Sequence, residues 1–202
     1  MFNMFVGAGL RARPHFYIFR GWNMKKAMYR LIIMFAVITI TSIILYKYTE
    51  SVFVYSLVVT FFTFLYHFVM RLIVGFFCDN FVKPNYKSKW FVQRSFEKKL
   101  YSFLKVKKWK NKMPTYNADT FDVSKHSWDE IIQATCQAEL VHEINVIFSF
   151  LPIFASIWFD SFGVFLITSA LGAAFDLMFV MMQRFKLIGL IIKLNKLNQS
   201  MK

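Results

Sequence analysis

Residues 51–77 read SVFVYSLVVTFFTFLYHFVMRLIVGFF, and Arg71 is the one formal charge among them. About 20 such residues, rising about 1.5 Å each, cross the ~30 Å hydrocarbon core of a bilayer as a helix. A helix is also the one open-ended form that satisfies every backbone N–H and C=O without water. The stretch therefore predicts a transmembrane helix. Upstream, residues 28–48 form a second apolar run, and the Lys47-Tyr48-Thr49-Glu50 link is too short to be a domain, so the two spans pair as a hairpin. Downstream, residues 140–159 and 161–183 make a second hairpin that turns near Asp160 and Gly163, with Asp176 the only charge inside its last span.

Composition agrees. Hydrophobic residues make up 57% of the 202, with 26 Phe, against 45–50% apolar in ordinary soluble domains. Mean hydropathy is +0.43. Seven Gly and four Pro exclude collagenous and low-complexity classes, and two Cys cannot supply a secreted disulfide framework. The expected fold is a single membrane domain over residues 1–202. It is an all-α integral membrane protein with four transmembrane helices as two hairpins, plus interfacial amphipathic helices in the central segment 78–138 and the tail 184–202.

The net charge of +14 is unevenly placed. The arm of residues 1–27 carries Arg11, Arg13, Arg20, Lys25 and Lys26 and no acid; residues 78–138 hold twelve Lys/Arg against six Asp/Glu; the tail adds Arg184, Lys186, Lys193, Lys196 and Lys202. The positive-inside rule puts all three on the cytoplasmic side, which predicts a multi-pass cell-membrane protein with both termini cytoplasmic. The arm lacks a small-residue cleavage site, so the first span is expected to be a retained anchor. No nucleic-acid-binding module accompanies the basic charge, so nucleic acid is not an expected partner and membrane lipids are. Between Tyr86 and Lys112 aromatics alternate with Lys, the pattern of a headgroup-level segment with Trp90, Phe91, Phe96, Leu100, Tyr101, Phe103, Leu104 and Trp109 on its apolar side. Ser127 and Glu130 form a capping-box pattern for a helix running into the third span. Residues 184–199 read as an interfacial helix.

Ionisable groups within spans are costly and raise functional hypotheses. His67 and Arg71, four apart, share a helix face. Arg71 is expected to pair with Asp176 and hold the hairpins together, and His67 to be a satisfied interior histidine. Glu139 and His142, three apart at the mouth of the third span with Glu143 beside them, have the spacing for a carboxylate to orient an imidazole. Such a base takes the proton of a hydroxyl and makes it a nucleophile toward an activated acyl carbon. Arg71, Lys110 and Lys112 are candidates to face the developing oxyanion. Lys105, Lys107, Lys108, Lys110 and Lys112 would attract a phosphate-bearing thioester donor, although the same cluster is expected of any cytoplasmic flank. His15 and His126 read as surface residues.

Other patterns carry less. Gly7-Ala8-Gly9-Leu10-Arg11-Ala12 fits a dinucleotide fingerprint formally but has no βαβ unit around it. His-x-x-x-x-Asp, Gly-x-Ser-x-Gly and Walker motifs are missing. Cys78 and Cys136, near a reducing cytoplasm, read as inert thiols. Glu139-x-x-His142 is half of a di-metal carboxylate site, for which a homo-oligomer would have to supply the second copy. No metal is called for otherwise. Ser169, Gly172, Ala173 and Ala174 offer a small-residue packing face, which a non-enzymatic scaffold or transporter accessory protein would turn to a partner helix and which otherwise packs on the chain's own spans.

Three segments in order, KVKKWKNKMP at 105–114, EIIQATCQAELVH at 130–142 and QRF at 183–185, resemble the glycosyl-4,4'-diaponeurosporenoate acyltransferase family over roughly Trp90 to Leu190. The resemblance implies a carotenoid-pathway type of chemistry, in which a sugar hydroxyl of a glycolipid-like acceptor is esterified with a fatty acyl chain at a bacterial cell membrane. It implies no cofactor beyond acyl-CoA or an acyl-carrier donor as co-substrate. Trp109, Lys110, Glu139, His142, Gln183 and Arg184 stand at the family's motif positions. The site expected from residues and resemblance together has His142 and Glu139 as catalytic groups and Trp109, Lys110, Lys112, Arg71, Gln183 and Arg184 as substrate-binding groups. The sequence departs from the family at Gln137, where Arg is usual, at Glu143, where Trp is usual, and at Lys186-Leu187-Ile188-Gly189. The amino-terminal hairpin is additional to the family's core.

Overall fold

The computed structural model describes residues 24–113, 119–122 and 124–200. Arg11, Arg13, Arg20, His15, the Gly7 to Ala12 run and Pro114 lie outside the described residues, so the expectations attached to them are not addressed by the structure. Every regular element among the described residues is helical. Four helical stretches are long and apolar enough to cross a membrane, Lys25–Thr49, Val52–Phe81, Trp128–Phe159 and Phe162–Lys196. This is an architecture compatible with a multi-pass membrane protein.

Helices α1 (Met24–Thr49) and α2 (Val52–Phe81) are joined through Glu50, which takes a left-handed conformation at φ 49°. They pack along one another, with Phe35 set among Phe61, Phe64 and Phe68 at centroid distances of 6.2, 5.5 and 5.4 Å. The buried stripe of α1 includes Thr39, whose hydroxyl donates to the Phe35 carbonyl at 2.7 Å, so it brings no unpaired group into the apolar layer. The outer faces expose Ile33, Val37, Ile40, Phe53, Phe62 and Ile73. An exposed apolar area this continuous is a lipid-facing surface rather than a water-facing one.

The middle of the chain is short-ranged. Helix α3 (Ser95–Phe103) turns Glu97 and Tyr101 inward and leaves Phe96, Leu100 and Phe103 exposed; the single-turn α4 (Val106–Trp109) follows. The predicted capping box is present: the Ser127 hydroxyl accepts from the Glu130 N–H and Glu130 Oε2 accepts from the Ser127 N–H at 2.7 Å. It starts α5 (Trp128–Phe148).

Two expectations are corrected here. The third span is not one helix: α5 ends at Phe148 and α6 (Pro152–Phe159) begins after a turn. Pro152 has no N–H to give the Phe148 carbonyl, which is the reason a continuous helix fails. That carbonyl is taken instead by the Leu151 N–H at 3.2 Å and the Tyr66 hydroxyl at 2.9 Å. The tail, in turn, is not a separate interfacial helix. After a left-handed Asp160, α7 runs unbroken over Phe162–Ser200. Its 39 residues give a rod of about 58 Å, nearly twice a hydrocarbon core. Leu187, Leu190, Ile191 and Leu194 pack on Ile132 and Cys136 of α5 and on Phe91. Their apolar face is covered by protein, so lipid does not have to cover it and the helix has no cause to bend flat.

Candidate active site

The functional side chains lie where α7 packs on α5 and α2, in two polar layers one to two helical turns apart. In the deeper layer, Asp176 of α7 is fully buried and holds two partners. Its Oδ2 accepts from Arg71 Nη2 at 2.5 Å, and its Oδ1 is 2.9 Å from His142 Nδ1. Arg71 also donates to the carbonyls of His67 (2.7 Å) and Gly172 (3.1 Å). The pairing of Arg71 with Asp176 is the one expected. With a carboxylate accepting at Nδ1, the neutral imidazole carries its lone pair on Nε2, which has no hydrogen-bond partner among the described residues. The ring lies flat on Phe179, with centroids 4.6 Å apart and planes 14° apart, and its side chain keeps 22% of its surface. It is fixed and still reachable.

Glu139 does not orient His142, contrary to the expectation from their spacing. Three residues on a helix differ by about 300° in direction and about 4.5 Å in height, so the two side chains meet α7 at different levels. Glu139 Oε1 pairs with Arg184 Nε of α7, and Asp176 takes the imidazole. The half-motif of a di-metal site is divided in the same way, and among the described residues no three His, Cys, Asp or Glu side chains gather to hold a metal ion.

Arg184 centres the second layer. Besides Glu139 it reaches Glu143 Oε1 at 3.5 Å and Glu97 Oε1 at 4.0 Å, and its Nη1 donates to the Trp90 carbonyl at 2.6 Å. Its guanidinium lies 5.6 Å from the Phe91 ring. The Trp90 indole N–H donates to Glu143 Oε2 at 2.9 Å. Glu97 and Trp90 were not expected in the site. The signal for Glu97 is the inverted amphipathicity of SFEKKLYSF, in which Glu97 and Tyr101 share one face and Phe96, Leu100 and Phe103 the other.

Of the remaining expected residues, Gln183 is buried beside Arg184. Trp109 donates its indole N–H to the Leu104 carbonyl at 3.0 Å, and Lys110 lies 4.6 Å over the Phe185 ring. Burial, and then repulsion from Lys107, pulls the Lys110 ammonium below its usual range. Lys112 is exposed. Among the described residues none of these three makes a hydrogen bond, ion pair or ring contact with His142 or Glu139. The small-residue face is covered by the chain itself in part: Ser169 and Ala173 are buried, and a Cβ on Gly172 would stand 3.1 Å from His67 Cε1 and 3.4 Å from Ser149 Oγ, while Ala174 is exposed.

The family model for glycosyl-4,4'-diaponeurosporenoate acyltransferase matches residues 87–191, just over half of the chain. The chain belongs to this family. The acyltransferase match contains Trp90, Glu97, Glu139, His142, Asp176 and Arg184, while Arg71 and His67, on α2, lie outside it. No curated protein and no solved structure matches the chain.

Proposed function

We propose that this acyltransferase-family chain is a membrane-embedded O-acyltransferase that esterifies a hydroxyl of a glycolipid or related amphiphile, with His142 as general base and Asp176, not Glu139, as its orienting carboxylate. The observation that carries the proposal is the Arg71–Asp176–His142 series about a fully buried carboxylate, with both of its oxygens occupied and Nε2 left open. The base removes the acceptor hydroxyl proton as the oxygen attacks the carbonyl carbon of a thioester donor. The new C–O ester bond forms, the C–S bond breaks, and the imidazolium returns the proton to the departing thiolate. Asp176 stabilises the imidazolium in between, and Arg71 holds Asp176 in place.

The four long apolar helices support a membrane setting for this reading. With α1 and α2 as one hairpin and α5–α6 with α7 as the other, the basic segments face the cytoplasm. If α7 enters the hydrocarbon at Phe162, Asp176 is about 21 Å along it and Arg184 about 33 Å, so on this reading the base lies about 9 Å inside the inner boundary of a ~30 Å core and Arg184 about 3 Å beyond it. An amphiphile anchored in the inner leaflet presents its headgroup at the level of Arg184, and a hydroxyl reaches the base by entering the polar interior between α2, α5 and α7. Phe96, Leu100 and Phe103, exposed on α3 with Lys98 and Lys99 beside them, suit a helix lying in the headgroups. Exposed Lys105, Lys107, Lys108 and Lys112 suit the phosphates of a donor such as acyl-CoA.

The test compares whole-cell lipid profiles with and without the gene, and with His142→Gln. One acylated lipid is expected to vanish with the gene and to stay absent with His142→Gln at unchanged membrane abundance. An unaltered profile in that variant sinks the acyl-transfer reading.

A further inference from the structure

Among the described residues four Lys or Arg side chains are drawn in from the surface: Arg71, Lys110, Arg184 and Lys186. Arg71 and Arg184 face carboxylates. Lys110 and Lys186 face none of the described ones, and each ammonium meets a ring instead: Lys110 Nζ lies 4.6 Å from the centroid of Phe185, and Lys186 Nζ 6.0 Å from that of Phe121. A ring face attracts a cation, but it gives the N–H groups no oxygen to donate to. The two lysines also crowd each other. Lys110 repels Lys186, and the exposed Lys107 repels Lys110. Like charges set together and half withdrawn from water are costly until an anion joins them.

The crowding is built into the packing. The Trp109 indole bond to the Leu104 carbonyl, at 3.0 Å, fixes the turn that ends at Lys110. The Phe185 ring under Lys110 meets the Tyr101 ring edge-on at 5.7 Å, and Lys186 follows Phe185 on α7. The depth of the pair names the anion. With α7 entering the hydrocarbon at Phe162, Lys186 is about 36 Å along it, about 6 Å beyond a ~30 Å core and inside the headgroup layer. Phosphates lie in that layer, whereas the carboxylate of a fatty acid is joined directly to its chain and stays nearer the hydrocarbon. Basic clefts between helices on the cytoplasmic side suit phosphate-bearing headgroups, and the Lys ammonium binds phosphate as a point charge.

We propose that Lys110 and Lys186 together hold one phosphate group at the headgroup level of the inner leaflet. An anionic phospholipid and a soluble thioester with phosphates both carry this chemistry, and the experiment separates them. The site rests on the membrane placement of α7 and not on acyl transfer, so it stands whether or not His142 is a base.

The experiment places the full chain in uncharged maltoside micelles, which bring no phosphate, and counts bound molecules by native mass spectrometry. The probes are phosphatidylglycerol, coenzyme A, diacylglycerol and oleate. One phosphate-bearing molecule per chain is expected, in wild type and in His142→Gln alike. Retention of phosphatidylglycerol assigns the site to a lipid headgroup, and retention of coenzyme A alone assigns it to the donor. Lys110→Met and Lys186→Met each weaken the binding about tenfold, the size of one hydrogen bond to a charged group. Lys186→Arg keeps the charge and keeps the binding, and Lys98→Met, at an exposed lysine of α3, leaves it unchanged. Folding is checked by unfolding midpoints. Without ligand, both Met variants unfold at or above the wild-type temperature, because one of two repelling charges is gone, and the phosphate ligand raises the midpoint of wild type more than of either variant. Equal weakening in Lys98→Met reduces the binding to diffuse surface charge and overturns the site. Diacylglycerol held as firmly as phosphatidylglycerol, or oleate held more tightly, overturns the choice of phosphate. Unchanged binding in Lys186→Met with a lowered ligand-free midpoint makes the lysine a packing group and overturns the proposal. A lipid profile indifferent to His142 with binding that depends on both lysines removes the acyltransferase reading and leaves the phosphate site.

Discussion

Asp176→Asn isolates what the buried carboxylate does. The guanidinium of Arg71 can only donate, so the amide oxygen of Asn must face it, at the position where Oδ2 now stands 2.5 Å away. The amide NH2 is then left facing His142 Nδ1, where Oδ1 now stands at 2.9 Å. Nδ1 must become an acceptor, so the ring proton moves to Nε2 and the lone pair that would take a substrate proton is gone. Loss of general-base catalysis costs about 10²- to 10⁴-fold in rate. The fold loses about 3–5 kcal/mol, as when a buried pair is broken from one side, because the Arg71 guanidinium is left without its carboxylate, although it keeps its bonds to the His67 and Gly172 carbonyls. The assay measures acyl transfer per folded protein in nanodiscs, with thermal unfolding in parallel and nitrogen NMR of the imidazole reporting the tautomer. A folded Asp176→Asn protein whose rate stays within fivefold of wild type, or whose His142 keeps its proton on Nδ1, refutes this assignment.

Arg184→Met strips from Glu97, Glu139 and Glu143 the guanidinium that pairs with them among the described residues and is expected to lower stability by about 3–5 kcal/mol, as breaking a buried pair from one side does. Arg184→Met with Glu139→Gln should recover a measurable part of this by thermal unfolding, and equal losses in the single and double variants would contradict the pairing. Gly172→Ala puts a Cβ 3.1 Å from His67 Cε1 and should destabilise by about 1–3 kcal/mol by overpacking; His67→Ala in the same chain should relieve it. Lys110 is held below its usual value of 10.5 by burial and by Lys107, so between its folded and unfolded pKa the unfolded chain binds more protons. Stability should rise with pH as the usual lysine range is approached, and Lys110→Gln should flatten that slope in unfolding midpoints measured at alkaline pH.

The sequence alone carried the parts of this protein that follow from local composition. Runs of apolar residues of bilayer length, the capping box at Ser127 and Glu130, and the turn at Asp160 are readable because each depends on neighbours in the chain. So was the Arg71–Asp176 pair, since two opposite charges inside apolar helices have few other places to go. The partner of His142 was not readable. An i, i+3 spacing permits Glu139 to meet it, but the choice was made by α7, which offers Arg184 to one residue and Asp176 to the other. The break at Pro152 is legible in principle from its missing N–H. The unbroken tail is not, because Leu187, Ile191 and Leu194 could lie equally on lipid or on protein. Only the tertiary packing on Ile132, Cys136 and Phe91 decides it, and the same packing carries Glu97 and Trp90 from a lysine-rich segment to Arg184. Chain-local energetics fixed the helices, and contacts between helices distant in sequence fixed which polar groups meet.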